Sequence, residues 1–396
     1  MELVVQKYGG SSLSSVEKIQ KVARKIAKRV NEGPKLIVVV SAMGSTTDRL
    51  EELAHEISSK PGPREMDMLV TTGEQISASL VAMALKELQV TAISLNAFQA
   101  EINTNSIHTD ANIENINGEK LKQYLDGNDV LIVTGFQGIS EEGNITTLGR
   151  GGSDTSAVAL AGAVNASCEI YSDFPGIFTT DPRIYPDAKK LEQVSYDEIL
   201  EMARLGANVL HPRAVAIAKK YEIPLVCAGT FSDEEGTLIS SEPIEEAVVT
   251  GLSVMENQTQ VTISNLPPDH KVVNKMFKYL GDKQLNIDMI SIINIDDSLN
   301  LSFSYVEKDK NYFKKALDDF QENFKKSNIT HEHNFIKLSV VGLGMRKEGG
   351  VASRFFNALD SLPINLVTTS EIKISCLLDN QYKKQAVAAL AEEFNL

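Results

Sequence analysis

The chain has 396 residues, of which 42% are hydrophobic and 23% charged, a composition typical of a globular protein with two or three domains. Its formal net charge of −14 argues against a nucleic-acid surface, which needs clustered basic side chains. An N-terminus without a signal-peptide pattern, apolar runs too short to span a bilayer, and three scattered cysteines (Cys168, Cys227 and Cys376) together predict a cytoplasmic protein with reduced, buried thiols and no membrane partner.

The first 230 residues alternate short apolar runs with longer helical patterns. Strands are predicted at 3–5, 36–40, 90–95, 130–133, 169–171 and 223–227, and helices at about 16–30, 75–88 and 154–164. Polar stretches at 103–117 and 137–147 predict inserted hairpins or flaps. Continuous Val, Ile and Leu runs between amphipathic helices predict an α/β fold whose mainly parallel sheet is covered on both faces.

A polar segment from Gly229 to Pro243 predicts a domain boundary or a crossing strand, and the sequence after it repeats. One offset of 79 residues aligns seven pairs of like residues, among them Val261 with Val340, Phe277 with Phe356 and Asn286 with Asn365. This predicts a duplicated module of roughly 70–80 residues. A chance alignment of two amphipathic helices is the alternative.

The first predicted strand ends in a glycine-containing turn, Lys7-Tyr8-Gly9-Gly10-Ser11-Ser12, which leads into the first predicted helix. Paired glycines let backbone N–H groups approach an anion, and the helix N-terminus adds a favourable dipole. The sequence contains neither a Walker loop nor a G-x-G-x-x-G fingerprint. From these residues alone, a phosphate-binding loop and a plain strand-to-helix turn are equally good interpretations.

A second glycine-rich turn, Gly149-Arg150-Gly151-Gly152-Ser153-Asp154, precedes the alanine-rich helix predicted at 154–164. Three glycines, a guanidinium and a Ser/Asp pair at a helix start predict an anion site, in which Arg150 is suited to hold a carboxylate through two hydrogen bonds. Asp154 suits a phosphate site only with Mg²⁺ or a lysine between them. A capped helix after a flexible loop is the alternative.

Three further polar segments follow predicted strands or open a predicted helix. They are 41–48 (SAMGSTTD), 72–75 (TGEQ) and 172–183 (SDFPGIFTTDPR). Because ligands of open α/β sheets bind beyond the carboxyl ends of the strands, these loops predict one common crevice. Glu74 could meet a substrate amine there, or it could serve only the helix dipole. The last segment offers groups for a nucleotide, although Asp-Pro and Pro-Gly are also plain turn residues.

Six segments together resemble the aspartate kinases of the amino-acid kinase family in order and spacing: VQKYGGSS, VSAMGSTTD, TTGEQ, TLGRGGSDTSAVALA, DFPGIFTTDPRIYPDA and MARLGANVLHPRAV. The duplicated module resembles their paired ACT domains, so the resemblance covers essentially the whole chain. It implies an α/β amino-acid-kinase sheet sandwiched by helices at 1–230, a linker at 231–250, and ferredoxin-like βαββαβ modules at 251–333 and 334–396. An exchange of a strand between the two modules is left open.

The resemblance also implies the reaction, in which the γ-phosphoryl group of ATP passes to the side-chain carboxylate of L-aspartate with Mg²⁺ as cofactor, the first step of lysine, threonine and methionine biosynthesis. It makes Lys7 and Asp154 the catalytic residues. The residues implied to bind substrate are Ser41, Thr47, Glu74, Arg150 and Ser153. Those implied to bind ATP are Lys7, Tyr8, Gly9, Gly10, Ser11, Ser172, Asp173, Phe178, Asp181, Arg183 and Asn208. No dedicated protein metal site and no general base are expected, because a carboxylate nucleophile is already ionised at neutral pH.

Regulation is the last implication of the resemblance. Lysine, threonine or both are expected to inhibit by binding to the ACT pair, which is also expected to join copies of the chain into a homo-oligomer. The residues implied to contact the inhibitor are Asn286, Asp288, Met345 and Asn365. The chain departs from the family at Asn208, where a nucleotide-binding lysine is common, and more mildly at Ser172 and Phe178, where threonine and tyrosine are usual.

Two other functions are compatible with these residues. One is a kinase of the same fold that acts on another carboxylate or on a phosphate, although Glu74 with Arg150 favours an amino-acid substrate. The other is a catalytically inactive amino-acid sensor built on ACT modules, against which the presence of Lys7, Arg150 and Asp154 argues. Asn208 is the one feature in favour of the sensor.

Overall fold

The computed structural model describes residues 2–207, 209–241, 247–295, 297–324 and 326–396. The chain divides into two compact units. The first comprises Met1–Ile177, Lys190–Ala203 and Asn208–Ile244, and the second comprises Phe178–Lys189, Arg204–Ala207 and Glu245–Leu396. The predicted nucleotide segment 172–183 is therefore divided between the units after Ile177.

An eight-stranded sheet forms the centre of the first unit. Its strands are β1 (Leu3–Tyr8), β2 (Lys35–Val40), β3 (Ala92–Leu95), β6 (Val130–Thr134), β9 (Ser167–Ser172), β10 (Gln193–Ser195), β11 (Leu225–Gly229) and β12 (Thr237–Ser240). Their order is β10-β12-β11-β9-β1-β2-β6-β3, and only the β11–β12 pair is antiparallel. The predicted parallel sheet is thereby confirmed, with β2 buried along most of its length.

Helices cover both faces of this sheet. They are α1 (Val16–Asn31), α2 (Thr46–Ile57), α3 (Pro63–Val70), α4 (Thr72–Glu87), α5 (Gly118–Asp126), α6 (Gly152–Val164), α7 (Tyr196–Arg204) and α8 (Pro212–Lys220). Apolar residues of α1 and α4 form one core with the sheet, and those of α5, α6 and α8 form the core on the opposite face. Because the helices shield both faces of the sheet from water, its strands contain continuous apolar runs rather than apolar residues at alternate positions only.

A small second sheet carries the two inserted hairpins that the sequence predicts. Its strands are β4 (Ile102–Thr104), β5 (Ile113–Ile116), β7 (Gln137–Ile139) and β8 (Ile145–Thr147), in the order β5-β4-β7-β8. The β4–β5 and β7–β8 pairs are antiparallel, which confirms both hairpins. The segment 41–48, expected to be a loop throughout, enters α2 at Thr46 because the backbone N–H of that residue already bonds to Met43 O.

The α3–α4 segment, Pro63–Glu87, is long and apolar enough by composition to cross a membrane. Half of its most apolar window is buried within the protein. The segment also contains the buried carboxylates of Asp67 and Glu74, and α4 packs against α1 and β6. These contacts account for its apolar character as that of a core helix.

The second unit is built on a six-stranded sheet. Its strands are β13 (Gly251–Leu266), β14 (Asp288–Ile295), β15 (Ser298–Val306), β16 (Asn328–Val341), β17 (Val367–Thr369) and β18 (Lys373–Asp379), in the order β14-β15-β13-β16-β18-β17. Its helices are α9 (His270–Asp282), α10 (Lys310–Asn323), α11 (Val351–Ala358) and α12 (Lys383–Phe394). Separate hydrophobic cores lie under the α9–α10 pair and under the α11–α12 pair.

The two longest strands join the halves of this sheet. The start of β13, Gly251 to Met255, pairs with the end of β16, whereas Gln258 to Ser264 pairs with its beginning. A register irregularity between Met255 and Gln258 separates the two stretches. Each half of the sheet thus contains four strands and two helices, and one strand of the half with α11 and α12 comes from the start of β13. The 79-residue repeat falls on equivalent positions, because Val272 in α9 and Val351 in α11 are both buried.

Candidate active site

Lys7 and Asp154 form an ion pair at the carboxyl-end edge of the parallel sheet. Lys7 is the penultimate residue of β1, Asp154 lies in the first turn of α6, and Lys7 Nζ is 2.6 Å from Asp154 Oδ1. Each side chain is 14% exposed, so both charges are largely shielded yet reachable from solvent. Two residues far apart in the sequence are therefore brought together as the predicted catalytic pair.

The turn after β1 leaves room for an anion beside this ion pair. A Cβ added to Gly9 would lie 3.6 Å from Lys7 Nζ, and one added to Gly10 would lie 2.7 Å from Ala42 O. Gly44 N–H also donates to Gly10 O over 3.0 Å. Only glycine permits this packing of the turn on the 41–44 loop, which leaves backbone close to the ammonium group.

Other predicted residues of this turn differ in what they can contact. The ring of Tyr8 is fully buried and stacks on Tyr171 at 4.9 Å, and burial raises its pKa well above the ordinary tyrosine value. Only the Tyr8 backbone is left for a ligand. Ser11 is exposed, and its carbonyl oxygen accepts hydrogen bonds from Ser14 Oγ and Lys18 Nζ.

Glu74 lies at the start of α4, next to the loop that follows β2. Its Oε1 accepts a hydrogen bond from Ala42 N–H at 3.0 Å, whereas Oε2 is buried with no hydrogen-bond partner among the described residues. Burial raises its pKa to about 7, against the lowering effect of the Ala42 hydrogen bond. A buried carboxylate with one free oxygen is suited to a cationic ligand group. Ser41 lies in the same loop and Thr47 lies in the first turn of α2, and both residues are partly buried.

The glycine loop, defined as residues 147–151, leads from β8 into α6. Gly149 and Gly151 have left-handed φ values of +73° and +69°, and the exposed Arg150 lies between them. Next to this loop, Ser153 packs so closely on Gly135 that a Cβ on that glycine would lie 2.7 Å from Ser153 Oγ. The backbone of Gly135 bonds to Val40 O at the end of β2. The start of α6 is therefore fixed beside the loop that contains Ser41.

Several residues that the sequence analysis did not assign hold these loops. Asp67 accepts hydrogen bonds from Thr147 and from the loop 105–112, and Arg213 donates to Leu148 O and Ala111 O. His211 packs on Gly151, and burial lowers its pKa below the ordinary histidine value. The one sequence feature that could have indicated Asp67 is its position beside Val70 on the buried face of α3, where a carboxylate is unusual.

Ser172, the last residue of β9, and Asp173, which follows it, lie at the same edge of the sheet. Ser172 Oγ accepts a hydrogen bond from Phe174 N–H at 3.2 Å, and Asp173 is exposed. Thr230, which follows the neighbouring strand β11, contacts the glycine-containing turn after β1: its Oγ1 lies 2.6 Å from Ser12 Oγ. These residues flank the turn that carries Lys7.

Three further predicted nucleotide residues belong to the second unit. They are Phe178, Asp181 and Arg183, and the Arg183 guanidinium bonds the Asp181 carboxylate at 2.6 and 2.9 Å. This contact holds the pKa of Asp181 below its ordinary value. Asn208 lies outside the described residues.

The four predicted regulatory residues are spread over the second unit. Asp288 forms an ion pair with the buried Lys337, and Asn365 Nδ2 donates to Gln260 Oε1 at 3.1 Å. Met345 lines a surface cavity of about 650 Å³ together with Val351 and Ser370. Asn286 is exposed and, like Asp288, is not among the residues that line that cavity.

Metal binding by the protein alone finds little support in the donor set. Within the ranges that the structure describes, no group of three or more His, Cys, Asp or Glu side chains is placed to hold an ion. Cys168, Cys227 and Cys376 are buried free thiols, as predicted, and burial raises the pKa of each. Thiolate ligands are thereby disfavoured.

Comparison with known families places the site in context. Residues 2–229 match the amino acid kinase family, and residues 338–394 match an ACT domain. The chain is 44% identical to the aspartokinase of Geobacillus stearothermophilus and 43% identical to aspartokinase 2 of Bacillus subtilis, covering 100% of this chain and 98% of each relative. It is 40% identical to the aspartate kinase of Pseudomonas fluorescens, again over its full length and 98% of the relative.

Solved structures show the same relationship. The fold resembles E. coli aspartokinase III in complex with aspartate and ADP, with a TM-score of 0.83, 24% identity and full coverage of both chains. It also resembles the aspartate kinase from Synechocystis, with a TM-score of 0.56 and 40% identity, covering 100% of this chain and 70% of the other.

Proposed function

The chain belongs to the aspartokinases of the amino acid kinase family, and we propose that it transfers the γ-phosphoryl group of ATP to the side-chain carboxylate of L-aspartate, forming 4-phospho-L-aspartate. The observation that carries the proposal is the meeting of Lys7, Asp154 and the partly unpartnered Glu74 around the loops that follow β1, β2 and β8. The reaction opens the synthesis of lysine, threonine and methionine.

Charge placement explains how these residues would act. An aspartate carboxylate is ionised at neutral pH, so the barrier lies in bringing one anion to another and in stabilising the transferring phosphoryl group. Lys7 supplies a fixed positive charge, and the backbone N–H groups of Gly9 and Gly10 supply donors beside it. Asp154 holds Lys7 in place through the ion pair, which fixes the ammonium before substrate arrives.

The substrate's other groups have complementary partners. In this proposal, Glu74 receives the α-ammonium group and Arg150 the α-carboxylate, with Ser41, Thr47 and Ser153 alongside. Ammonium would provide the free Glu74 oxygen with its missing partner, and the exposed Arg150 guanidinium can bind a carboxylate through two hydrogen bonds. These two contacts require an amino acid rather than a simple carboxylate.

ATP would lie along the turn 7–11 and the loop 172–173, with Phe178, Asp181, Arg183 and Asn208 as further proposed contacts. Mg²⁺ prefers a few carboxylates together with substrate phosphates, and Asp154 is the carboxylate at hand. The ion would neutralise phosphate charge when bound. A fold neighbour was solved in complex with aspartate and ADP, which is consistent with a nucleotide substrate.

A direct assay tests the reaction. Purified protein with Mg-ATP and L-aspartate should release ADP, and hydroxylamine should trap the acyl phosphate as a hydroxamate. Lys7→Met should lower kcat by at least about tenfold while circular dichroism shows an intact fold, because the transition-state charge loses its cation. Lys21→Met is the matched control, since Lys21 pairs only locally with Glu17 on α1. ADP release without hydroxamate would indicate a different acceptor, and a Lys7→Met variant with normal turnover would exclude Lys7 from catalysis.

We propose feedback inhibition by lysine, threonine or both through the second unit. The ACT match and a fold neighbour solved with lysine and aspartate support it. Asn286, Asp288, Met345 and Asn365 are the proposed contacts, and Asp288 offers a half-exposed carboxylate to an inhibitor's ammonium group. Activity measured with each amino acid alone and with both together tests this. No inhibition and no thermal shift with either would leave the ACT pair as an assembly element.

The remaining partners follow from the same proposal. A homo-oligomer formed through the ACT modules is expected, and the net charge of −14 disfavours nucleic acid. A cytoplasmic location stays a prediction, in agreement with the three unpaired cysteines. Cell fractionation would test it.

A further inference from the structure

The glycine loop (147–151) is tied along its length to a second segment of the first unit, residues 105–112, named here the flap. Ala111 N–H donates to Thr147 O at 2.8 Å. A Cβ added to Gly149 would lie 2.9 Å from Asp110 Oδ1 and 3.2 Å from Thr109 O. The flap and the glycine loop are therefore packed in direct contact, and a movement of one displaces the other.

Asp67 holds both segments at one end of this contact. Its Oδ1 accepts a hydrogen bond from Thr147 Oγ1 at 2.7 Å, and its Oδ2 accepts from Thr109 N–H at 3.1 Å and contacts His108 Nδ1 at 2.7 Å. The carboxylate is completely buried in α3. A buried charge is tolerated only with several strong hydrogen bonds, and here every bond goes to the flap or to the glycine loop.

Arg213 holds the same two segments from α8. Its Nη1 donates to Leu148 O at 3.0 Å, and its Nη2 donates to Ala111 O at 2.7 Å. Two side chains of opposite charge on different helices thus bridge the same pair of segments. Arg150 lies three residues after Thr147 and two after Leu148, so both anchored positions are close to it in the loop.

We propose that Asp67 is a positioning residue of the phosphoryl-transfer reaction, which fixes the glycine loop through Thr147 so that Arg150 is presented to the substrate carboxylate. The inference rests on the proposed function, in which Arg150 binds L-aspartate. A loop released from its anchor must be ordered again when substrate binds, which weakens substrate affinity. Asp67 contacts neither Lys7, which pairs with Asp154 in α6, nor the Gly9–Gly10 turn, which packs on the 41–44 loop, so we expect ATP affinity to change much less than affinity for L-aspartate.

The Thr147→Val variant tests the inference with the least risk to folding. Valine keeps the shape of threonine and removes only the hydroxyl that reaches Asp67, which retains its bonds to the flap. We expect the KM for L-aspartate to rise about tenfold and the KM for ATP to stay within about twofold. Thr146→Val is the matched control, because Thr146 is the neighbouring buried residue of β8 and its hydroxyl bonds to Thr104 rather than to Asp67.

Asp67→Asn should shift the KM for L-aspartate in the same direction, since the amide replaces a charged acceptor with a neutral group. If that variant does not fold, Thr147→Val decides alone. Equal effects of Thr147→Val and Thr146→Val, or a fall in kcat with both KM values unchanged, would reduce Asp67 to a stabilising residue and overturn the inference. A wild-type protein that forms no aspartyl hydroxamate overturns the proposed function itself, whereas an active wild type with an unaltered Thr147→Val variant overturns this inference only.

Discussion

Glu74 shows how one side chain connects burial to function. It is 3% exposed, and its position beside Ala42 and Gly73 leaves one oxygen bonded and the other free. With a pKa raised to about 7, the carboxylate is only partly ionised at neutral pH, so its negative charge is costly until a cation arrives. A ligand ammonium would stabilise the charged form.

Replacing this group should therefore stabilise the protein in a pH-dependent way. The folded-state pKa of about 7 lies above the unfolded value, so the wild type loses stability as pH rises from about 4.5 to about 7 and keeps that loss above it. Glu74→Gln keeps the acceptor for Ala42 N–H and abolishes the titration. We expect the stability of the variant relative to wild type to increase by about 2–3 kcal/mol between pH 5 and pH 8, measured by urea denaturation.

Kinetics of the same variant provide an independent readout. Because ionised Glu74 is needed to bind ammonium, the wild-type KM for L-aspartate should fall as pH rises towards about 7, and Glu74→Gln should show a high KM without this dependence. A stability difference between variant and wild type that is constant over pH would contradict the raised pKa. An unchanged KM would remove Glu74 from the substrate site.

Site residues in glycine-rich turns or at strand ends could be predicted from the sequence. Residues that support the site through contacts with distant parts of the chain could not. Lys7, Glu74 and Asp154 each lie at a strand end or a helix start, so sequence position alone placed them at one edge. Asp67 lies within α3, and its partners are 41 to 80 residues away. No local pattern contains those contacts.

At the scale of single elements, periodicity located the parts that are buried on both sides. The helices predicted at about 16–30, 75–88 and 154–164 correspond to α1, α4 and α6, each within three residues at either end. Six of the eight strands of the central sheet were likewise found from their apolar runs, whereas β10 was not predicted and β12 lies in the segment interpreted as a domain boundary or a crossing strand. These elements are long and pack against the core, which imposes the strongest constraint on sequence.

Several other helices show too weak a hydrophobic pattern to be predicted from the sequence. None of the residues of α2 is buried, so it lacks the continuous apolar face that would distinguish it from a polar loop. α3 buries only Asp67 and Val70. α7 and α8 were also not predicted, since nine residues span little more than two turns. One consequence lies next to the site: the start of α2 was missed, because it falls inside the polar 41–48 segment.

The start of α6 depends on a backbone conformation that only glycine adopts readily. Gly151 caps this helix at φ +69°, and a Cβ there would lie 2.3 Å from the His211 Cβ and Cγ atoms. Gly151→Ala should destabilise the protein by at least about 1–2 kcal/mol, because steric conflict with His211 adds to the backbone strain, and it should lower kcat/KM by displacing Ser153 and Asp154. Chemical denaturation and the coupled assay measure the two effects.

Gly127→Ala is the control for this substitution. Gly127 follows α5 at φ −105°, and an added Cβ would meet nothing within 4 Å. Its stability should change by less than about 0.5 kcal/mol, with normal activity. Equal behaviour of the two alanine variants would show that the left-handed cap has no part in shaping the site.

The duplication is the large-scale feature that the sequence revealed most directly. The apolar positions repeat because each pair of helices, α9–α10 and α11–α12, packs on a hydrophobic core of its own. The continuous course of β13 and β16 through both halves was harder to foresee. A strand that serves two cores shows no break in its alternation, so only the pairing register reveals where one half ends.

The outer strand of the half that contains α9 and α10 is unusual for the edge of a sheet. Among the described residues β14 pairs only with β15, yet four of its isoleucines, Ile290, Ile292, Ile293 and Ile295, are 43–55% exposed and are divided between the two faces of the strand. Edge strands normally carry charge or proline to prevent pairing. An edge that is apolar on both faces is suited to burial against a second copy of the chain.

Assembly of the whole molecule should therefore depend on this edge. We expect wild-type protein to elute as a dimer or larger species in size-exclusion chromatography with light scattering, and Ile293→Lys to shift the population towards the monomer, because a lysine at the edge disfavours strand pairing. Val16→Lys, which alters an exposed apolar residue on α1, should leave the mass unchanged. A wild-type monomer, or an Ile293→Lys variant of wild-type mass, would show that this edge does not join subunits. Activity that survives in the dissociated variant, together with a loss of inhibition by lysine or threonine, would locate the proposed regulation in the assembly formed through β14.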